Sequence, residues 1–329
     1  QTTSNSHTFT GLEAGTSYNI KVQSVDKAGN VSDEVTKDVT TDRRNAKDTI
    51  LANSKVNEGE PDFSKTATTD EGIYKAEDDW GESYYFRGAV TNNWVKFAGY
   101  YWRIIRINGD GSIRLIYNGT STQATGTGTQ ISTDSFNSSY NASYYVGLKY
   151  SFDEQFGSSK KSVILTKLEQ WYDSNLNNVS SYINSNTGFC SDRTIASGYN
   201  WVAENEDFYY ASYERLDSKK SPSLVCNNSS DLLKIFIGLI TADEVAYAGA
   251  KLGTSNSSYY LYTGYSYWTM SPRLYDYYAS VHTVASNGNL GNGYVNSSSG
   301  IRPVINLKAD VGITGSGTSS DPYVVVGAE

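Results

Sequence analysis

A chain of 329 residues is long enough to bury one large core and a smaller one beside it, so two domains are the starting expectation. Its 27 Lys and Arg against 35 Asp and Glu leave a formal charge of -8, the wrong sign for neutralising phosphates, which argues against nucleic acid as a partner. No apolar run approaches the roughly 20 residues needed to span a bilayer, so membrane insertion is not expected of this segment. An export signal and an anchor are expected upstream of Gln1. Tyr occurs 28 times, against Met once and His twice. Tyr offers a large amphipathic ring with few torsions to freeze, and Ser, Asn and Gly adapt around it, which is the composition of a contact surface. A β-rich extracellular domain with Tyr and Thr in its strands has a similar composition.

Residues 7 to 42 read as extended stretches separated by turns. They are Thr8-Phe9-Thr10, then Tyr18 to Val25, then a last stretch to Thr41 after the polar turn Asp26-Lys27-Ala28-Gly29-Asn30. The Leu12-x-x-Gly15-Thr16-x-Tyr18 pattern and that turn resemble the second half of a fibronectin type III domain, with Tyr18 placed like a tyrosine-corner residue. The resemblance implies a partial all-β module over 1–42 that acts as a spacer. Between Asp42 and about Ser54 the spacing of Ala46, Ile50 and Leu51 suits a short helix, and a connector follows to about residue 70.

From residue 71 a larger domain is expected to run to 329. Closely spaced strands are predicted at Tyr84–Ala89, Trp94–Phe97, Tyr100–Ile107 and Ser112–Tyr117, with Asn108-Gly109-Asp110-Gly111 as a hairpin turn. A calcium loop at that turn fails for want of Gly at its sixth position and Glu at its twelfth. Two helices begin with the same device, a capping Thr and a Glu three residues on: Thr166-x-x-Glu169 and Thr241-x-x-Glu244. In the first, Leu165, Leu168, Trp171 or Tyr172, Leu176 and Val179 recur at helical spacing and should be buried. Glu169 and Glu244 are thereby read as capping residues rather than catalytic acids. The acidic stretch Glu204-x-Glu206-Asp207 has no patterned partner carboxylate for glycoside hydrolysis and is read as a solvated loop. Cys190 and Cys226 are expected to form a disulfide, closing a loop that stabilises the fold by roughly 3 to 4 kcal/mol. Two thiols without nearby His do not complete a metal site.

The C-terminal segment mixes apolar strands with stretches too hydrophilic to bury and too aromatic for linker. Trp268, Val281, Val284 and Val304-Ile305-Asn306-Leu307 suit a core. Tyr267-Trp268-Thr269-Met270-Ser271-Pro272, Gly300-Ile301-Arg302-Pro303-Val304 and Ile237-Gly238-Leu239-Ile240-Thr241 resemble C-type lectin-like proteins of the formylglycine-generating-enzyme subclass. The variable proteins of diversity-generating retroelements, in particular, are similar. The resemblance implies an α+β lectin-like fold with short antiparallel strands and two helices over 71–329. It also implies a bacterial protein displayed outside the cell or on its surface. A fixed scaffold would then carry exchangeable Asn, Tyr, Ser, Asp and His positions. By that implication Tyr265, Tyr267, Arg273, Tyr275, Asp276, Tyr277, Tyr278, His282, Asn289, Asn292, Tyr294, Asn296, Ser297 and Ser298 contact the ligand, a protein or glycan on another cell, a host or a phage. No catalytic residue, cofactor or metal is expected. The alternatives are a fixed-sequence carbohydrate-binding adhesin and an oxidase like the enzyme that gives this subclass its name. Against the oxidase, neither cysteine lies in the C-terminal region, and no thiol or hydroxyl has a His base near it in sequence. The Glu-Pro-Asn and Trp-Asn-Asp signatures of calcium-dependent sugar binding are missing, so binding should survive a chelator.

Overall fold

Short alternating segments dominate the computed structural model, which describes residues 6–10, 12, 16–41 and 45–328. Strands β1 (Ser17–Val22) and β2 (Val35–Thr40) pair antiparallel and, among the described residues, with no other strand. The Asp26 carboxylate shapes the turn between them by accepting from the amides of Ala28 and Asn30 and from the Asn30 side chain. Thr8–Thr10, expected to be extended, form no strand, since no third strand pairs with this ribbon among the described residues. Gly15 of the fibronectin-like pattern and Asp42 lie outside the described residues.

Helix α1 (Ala46–Ala52) begins where the Asn45 side chain accepts from the amide of Asp48, and it buries Ala46 and Ile50 in the main core. The chain continues through β3 (Asp70–Asp78), β4 (Gly81–Gly88), β5 (Trp94–Phe97), β6 (Tyr100–Ile107), β7 (Ile113–Tyr117) and β8 (Ser132–Asp134). Next come the short pair β9 (Lys149–Tyr150) and β10 (Lys160–Lys161), then α2 (Val163–Asn175), β11 (Phe189–Cys190), β12 (Phe208–Tyr209), α3 (Ala211–Tyr213), β13 (Leu232–Leu233) and α4 (Ala242–Tyr247). The last strands are β14 (Tyr267–Tyr275), β15 (Ala279–Val284), β16 (Leu290–Tyr294), β17 (Ser299–Ile301), β18 (Val304–Leu307), β19 (Ile313–Thr314) and β20 (Tyr323–Val325). The architecture is α+β. One sheet runs β18-β7-β6-β5-β20-β19, with β4 also on β6 and β3 on β4; the other runs β16-β15-β14-β17-β8, with β12 also on β14.

The Gly300–Leu307 stretch divides into β17 and β18, which belong to different sheets. Pro303 has no amide to give a ladder, and the Arg302 side chain turns inward. Its guanidinium donates to the carbonyls of Tyr117 and Leu261 and to Asn118 Oδ1, and lies 4.7 Å from the centre of the Tyr267 ring. Arg302 thereby ties β7, β14 and the β17–β18 crossover together.

Helix α2 starts earlier than its capping pattern suggests. Ser162, not Thr166, is the N-cap and accepts from the Leu165 amide, while Glu169 pairs with Lys161. Leu165, Leu168, Tyr172 and Leu176 are buried as the periodicity requires, with Trp171 and Val179 half-buried. At α4 the Thr241–Glu244 capping box is complete. Glu244 also takes on buried charge. It bonds Arg106 at 3.1 Å and Arg114 at 2.5 Å, and Arg106 reaches Asp78 as well. Burial pushes the Glu244 carboxyl up, but Arg114 and Arg106 outweigh it and hold the group below the ordinary carboxylate range. Next to this cluster Arg215 bridges Asp192 and Asp243, and Arg193 bonds Asp231. Cys190 and Cys226 are joined in a disulfide on the same side. Between them is a polar cavity of about 30 Å³, space on the scale of single waters.

Candidate ligand-binding surface

β14 leaves the core at Tyr275 and returns as β15 from Ala279. In the turn between them Tyr277 takes a positive φ of 64° and is 56% exposed, and Tyr278 is 44% exposed. Tyr294, 41% exposed, closes the edge strand β16, and its ring centre lies 5.3 Å from that of Tyr278. On the other side Tyr140 stacks on Tyr278 at 5.0 Å with its plane tilted by 11°. This ladder of rings is held by backbone rather than by its own side chains. Ala279 N–H donates to Tyr140 O at 2.7 Å, Val295 N–H to Ala279 O at 3.0 Å and Asn137 N–H to Val295 O at 2.9 Å. Tyr275 below the tip donates its hydroxyl to Asn141 O at 2.8 Å.

The opposite flank of the tip is built by β12, which pairs Phe208 with Tyr275 and Tyr209 with Leu274. One step further along that register, Asp207 comes opposite Asp276. Burial, and then the Asp207 charge, pushes the Asp276 carboxyl up, and its Oδ1 is buried without a hydrogen-bond partner. Tyr209 stacks on Tyr213 at 4.3 Å and touches Tyr199 edge-on at 5.6 Å. Arg273 is half-buried with its guanidinium 5.0 Å above the Tyr213 ring.

The expected contact residues divide into an exposed set and a buried one. Asn292 and Tyr294 are exposed on one face of β16, and Asn296, Ser297 and Ser298 are exposed in the turn that follows. Tyr265 is exposed too, but it precedes β14 and so lies at the far end of the strand from Tyr277. Asn289 is half-buried in the β15–β16 turn, also away from the tip. Tyr267, Tyr275 and His282 are buried and cannot touch a ligand, which corrects their assignment to the surface. Tyr267 and Tyr275 each turn a hydroxyl onto a backbone carbonyl, Leu261 O and Asn141 O, which lets the rings join the core. His282 lies in β15, whose residues are all buried because β14 and β16 flank it and α4 packs against it. Burial, with Arg273 next in effect, pushes the His282 imidazole down to about 3, so it is neutral.

Residues 162–309 match the family model of DUF6273, a domain of unknown function. That span includes α2, both cysteines, α4 and β14 through β18, and thus the Tyr277–Tyr278 tip and Tyr294. It leaves out Tyr140 and the strands β3 to β7. No curated protein and no solved structure matches the chain.

Tyr140, Tyr199, Tyr209, Tyr213 and Asp207 belong to this surface and were not anticipated. The density of tyrosine over 140–150 and 199–213 was the available signal, but long-range contacts such as the β12–β14 pairing and the Ala279–Tyr140 bond bring those segments to the tip. Among the described residues no group of three or more His, Cys, Asp or Glu is arranged to hold a metal, and no helix is long and apolar enough to cross a membrane.

Proposed function

We propose that this chain is a bacterial ligand-binding protein displayed outside the cell, and that it holds a protein or glycan partner against the tyrosine surface at the β14–β15 tip. One observation carries the reading: Tyr277 and Tyr278 stand exposed at the tip of a backbone-braced hairpin with exposed Tyr294 of β16 against Tyr278, while Tyr267 and Tyr275 of the same hairpin are buried. Rigid exposed tyrosines rimmed by Asn and Ser give large contact area at small entropic cost, which is the pattern of a binding site rather than of ordinary solvated surface. The Cys190–Cys226 disulfide supports an oxidising compartment.

A C-type lectin-like scaffold, with a fibronectin-like spacer over 1–42 ahead of it, is the fold we assign, on the motifs of the C-terminal segment and in keeping with the α+β architecture. Within it we read the chain as the variable protein of a diversity-generating retroelement, because exposed Asn, Ser and Tyr positions crowd between Tyr277 and Ser298. A near-identical template repeat and a reverse transcriptase beside the gene distinguish this from a fixed adhesin. We assign no reaction to the chain, since its two cysteines are joined to each other on the α4 side and do not face the tyrosine tip.

The test compares wild type with Tyr278→Ala on a glycan array and on fixed bacterial cells, with and without EDTA. A buried aromatic anchor typically contributes about 2 kcal/mol or more on truncation, so binding should fall at least roughly thirtyfold while the melting temperature stays in place and EDTA has no effect. Undiminished binding by Tyr278→Ala moves the site elsewhere, and loss in EDTA ends the metal-free reading.

A further inference from the structure

We infer that the partner held at the tyrosine tip is a polypeptide that presents arginine or lysine to it, an inference that rests on the tip being the binding surface. Two aromatic groups of this chain, one of them beside the tip, already carry a cation. Arg273 covers Tyr213 at 5.0 Å, and Lys160 lies 5.8 Å from the centre of the exposed Phe152 ring. A cation over a tyrosine face is attracted by the negative potential of the ring. Among the described residues no lysine or arginine lies over Tyr277, Tyr278 or Tyr294, although those rings are the exposed ones.

Carboxylates collect on the flank of the tip opposite that ladder, next to Tyr277 in sequence and on a second segment fixed in place. Ser143 donates its amide to Ala203 O and its hydroxyl to Val202 O, which pins the loop carrying exposed Glu204, Glu206 and Asp207 against the segment that bears Tyr140. Asp207 then meets Asp276 at the end of the β12–β14 ladder. Asp276 keeps one buried oxygen without a donor, and the like charge of Asp207 raises the cost of ionising it. Arg273 offsets part of that cost from a distance, with its guanidinium over the Tyr213 ring.

A guanidinium or ammonium from a partner would supply both missing elements, a cation for the exposed Tyr277 ring, which no ring covers among the described residues, and a counter-charge beside two carboxylates that repel each other. Anionic glycans and nucleic acid meet the wrong charge here. A neutral sugar can stack on the rings and hydrogen-bond the carboxylates, but it leaves their repulsion uncompensated. Charge complementarity therefore selects a basic polypeptide over a glycan.

Calorimetric titration of the full chain with three probes tests this: a peptide of alternating arginine and glycine, the same peptide with citrulline for arginine, and cellohexaose. Binding of the arginine peptide is expected at about 50 mM salt, weakened several-fold at about 300 mM. It should weaken roughly tenfold or more in Asp207→Asn/Asp276→Asn and in Tyr278→Ala. It should be unchanged in Asp33→Asn/Glu34→Gln, which removes equal charge from the distant N-terminal ribbon, and the citrulline peptide should not bind. Thermal melts of each variant confirm that it is folded. Failure of the arginine peptide to bind, equal binding of the citrulline peptide, or equal loss in the Asp33/Glu34 variant overturns the inference. If cellohexaose binds and loses affinity in Tyr278→Ala while the peptide is ignored, the tip remains the binding surface and the basic partner is rejected. If Tyr278→Ala affects neither probe, both readings fall.

Discussion

At the base of the β14–β15 hairpin Tyr267 and Trp268 are buried, whereas at its tip Tyr277 and Tyr278 face solvent, although both ends are built from the same kinds of residue. At the base, each polar atom has a fixed partner: Tyr267 Oη donates to Leu261 O at 3.0 Å and Trp268 Nε1 to Asp134 O at 2.8 Å. Those partners come from elements already locked to the main core, so the rings can leave water without stranding a donor. At the tip, the backbone is anchored to Tyr140 and Val295 while the Tyr277, Tyr278 and Tyr294 rings stay exposed. A framework rich in satisfied buried polar groups is thereby joined to a surface whose aromatic groups are free to meet a partner. Changes in the framework should cost stability, and changes at the tip should cost binding only.

The largest expected effect is in the framework. Glu244→Gln removes the charge shared by Arg106 and Arg114 and leaves both guanidinium groups buried, which should destabilise the fold by about 3 to 5 kcal/mol in urea unfolding. A loss under about 1 kcal/mol would mean that Asp78 alone sustains the cluster.

A smaller effect is expected from acid. The His282 imidazole is held neutral to about 3 in the folded chain, against an ordinary value of 6.5, so below 6.5 the unfolded chain binds a proton that the folded chain refuses. This contribution is intact above pH 6.5 and is lost as pH falls toward 3. The loss is about 1.4 kcal/mol per pH unit, or about 2 kcal/mol by pH 5. Measuring stability at pH 7 and at about pH 5 should show a smaller drop in His282→Asn than in wild type. Identical drops would place the acid sensitivity in other groups. The smallest change in stability belongs to Tyr278→Ala, which should alter unfolding by no more than about 0.5 kcal/mol while removing binding.

Much of the framework could be read from residue patterns because it is local. The strands over Tyr84–Tyr117, the Asn108–Gly111 turn and the Thr241–Glu244 capping box depend on neighbours a few residues away, and they stand where alternation and capping chemistry put them. The cysteine pair was legible for a different reason, since two thiols have one possible pairing. The errors share a cause in distant contacts. Nothing near His282 announces that both faces of β15 are covered, and nothing near Arg302 announces that its guanidinium plugs a gap between two sheets. Similarly, Ser162 displaced Thr166 as the cap of α2 because the helix extends back to meet the core through Ile164 and Leu165. At the tip, Tyr277 and Tyr278 belong to a stretch too hydrophilic to bury and too aromatic for linker, and both rings are exposed. Its neighbours Tyr140 and Asp207 were hidden because β12 and the 140–146 segment reach it from far along the chain.

The most direct measurement of the central claim is nitration of the intact protein with tetranitromethane, mapped by peptide mass spectrometry and followed by a melt and a binding assay. The account predicts modification at Tyr277, Tyr278 and Tyr294, protection of Tyr267 and Tyr275, an unchanged melting temperature and loss of binding. Unmodified tip tyrosines, or full binding after all three are nitrated, would contradict it.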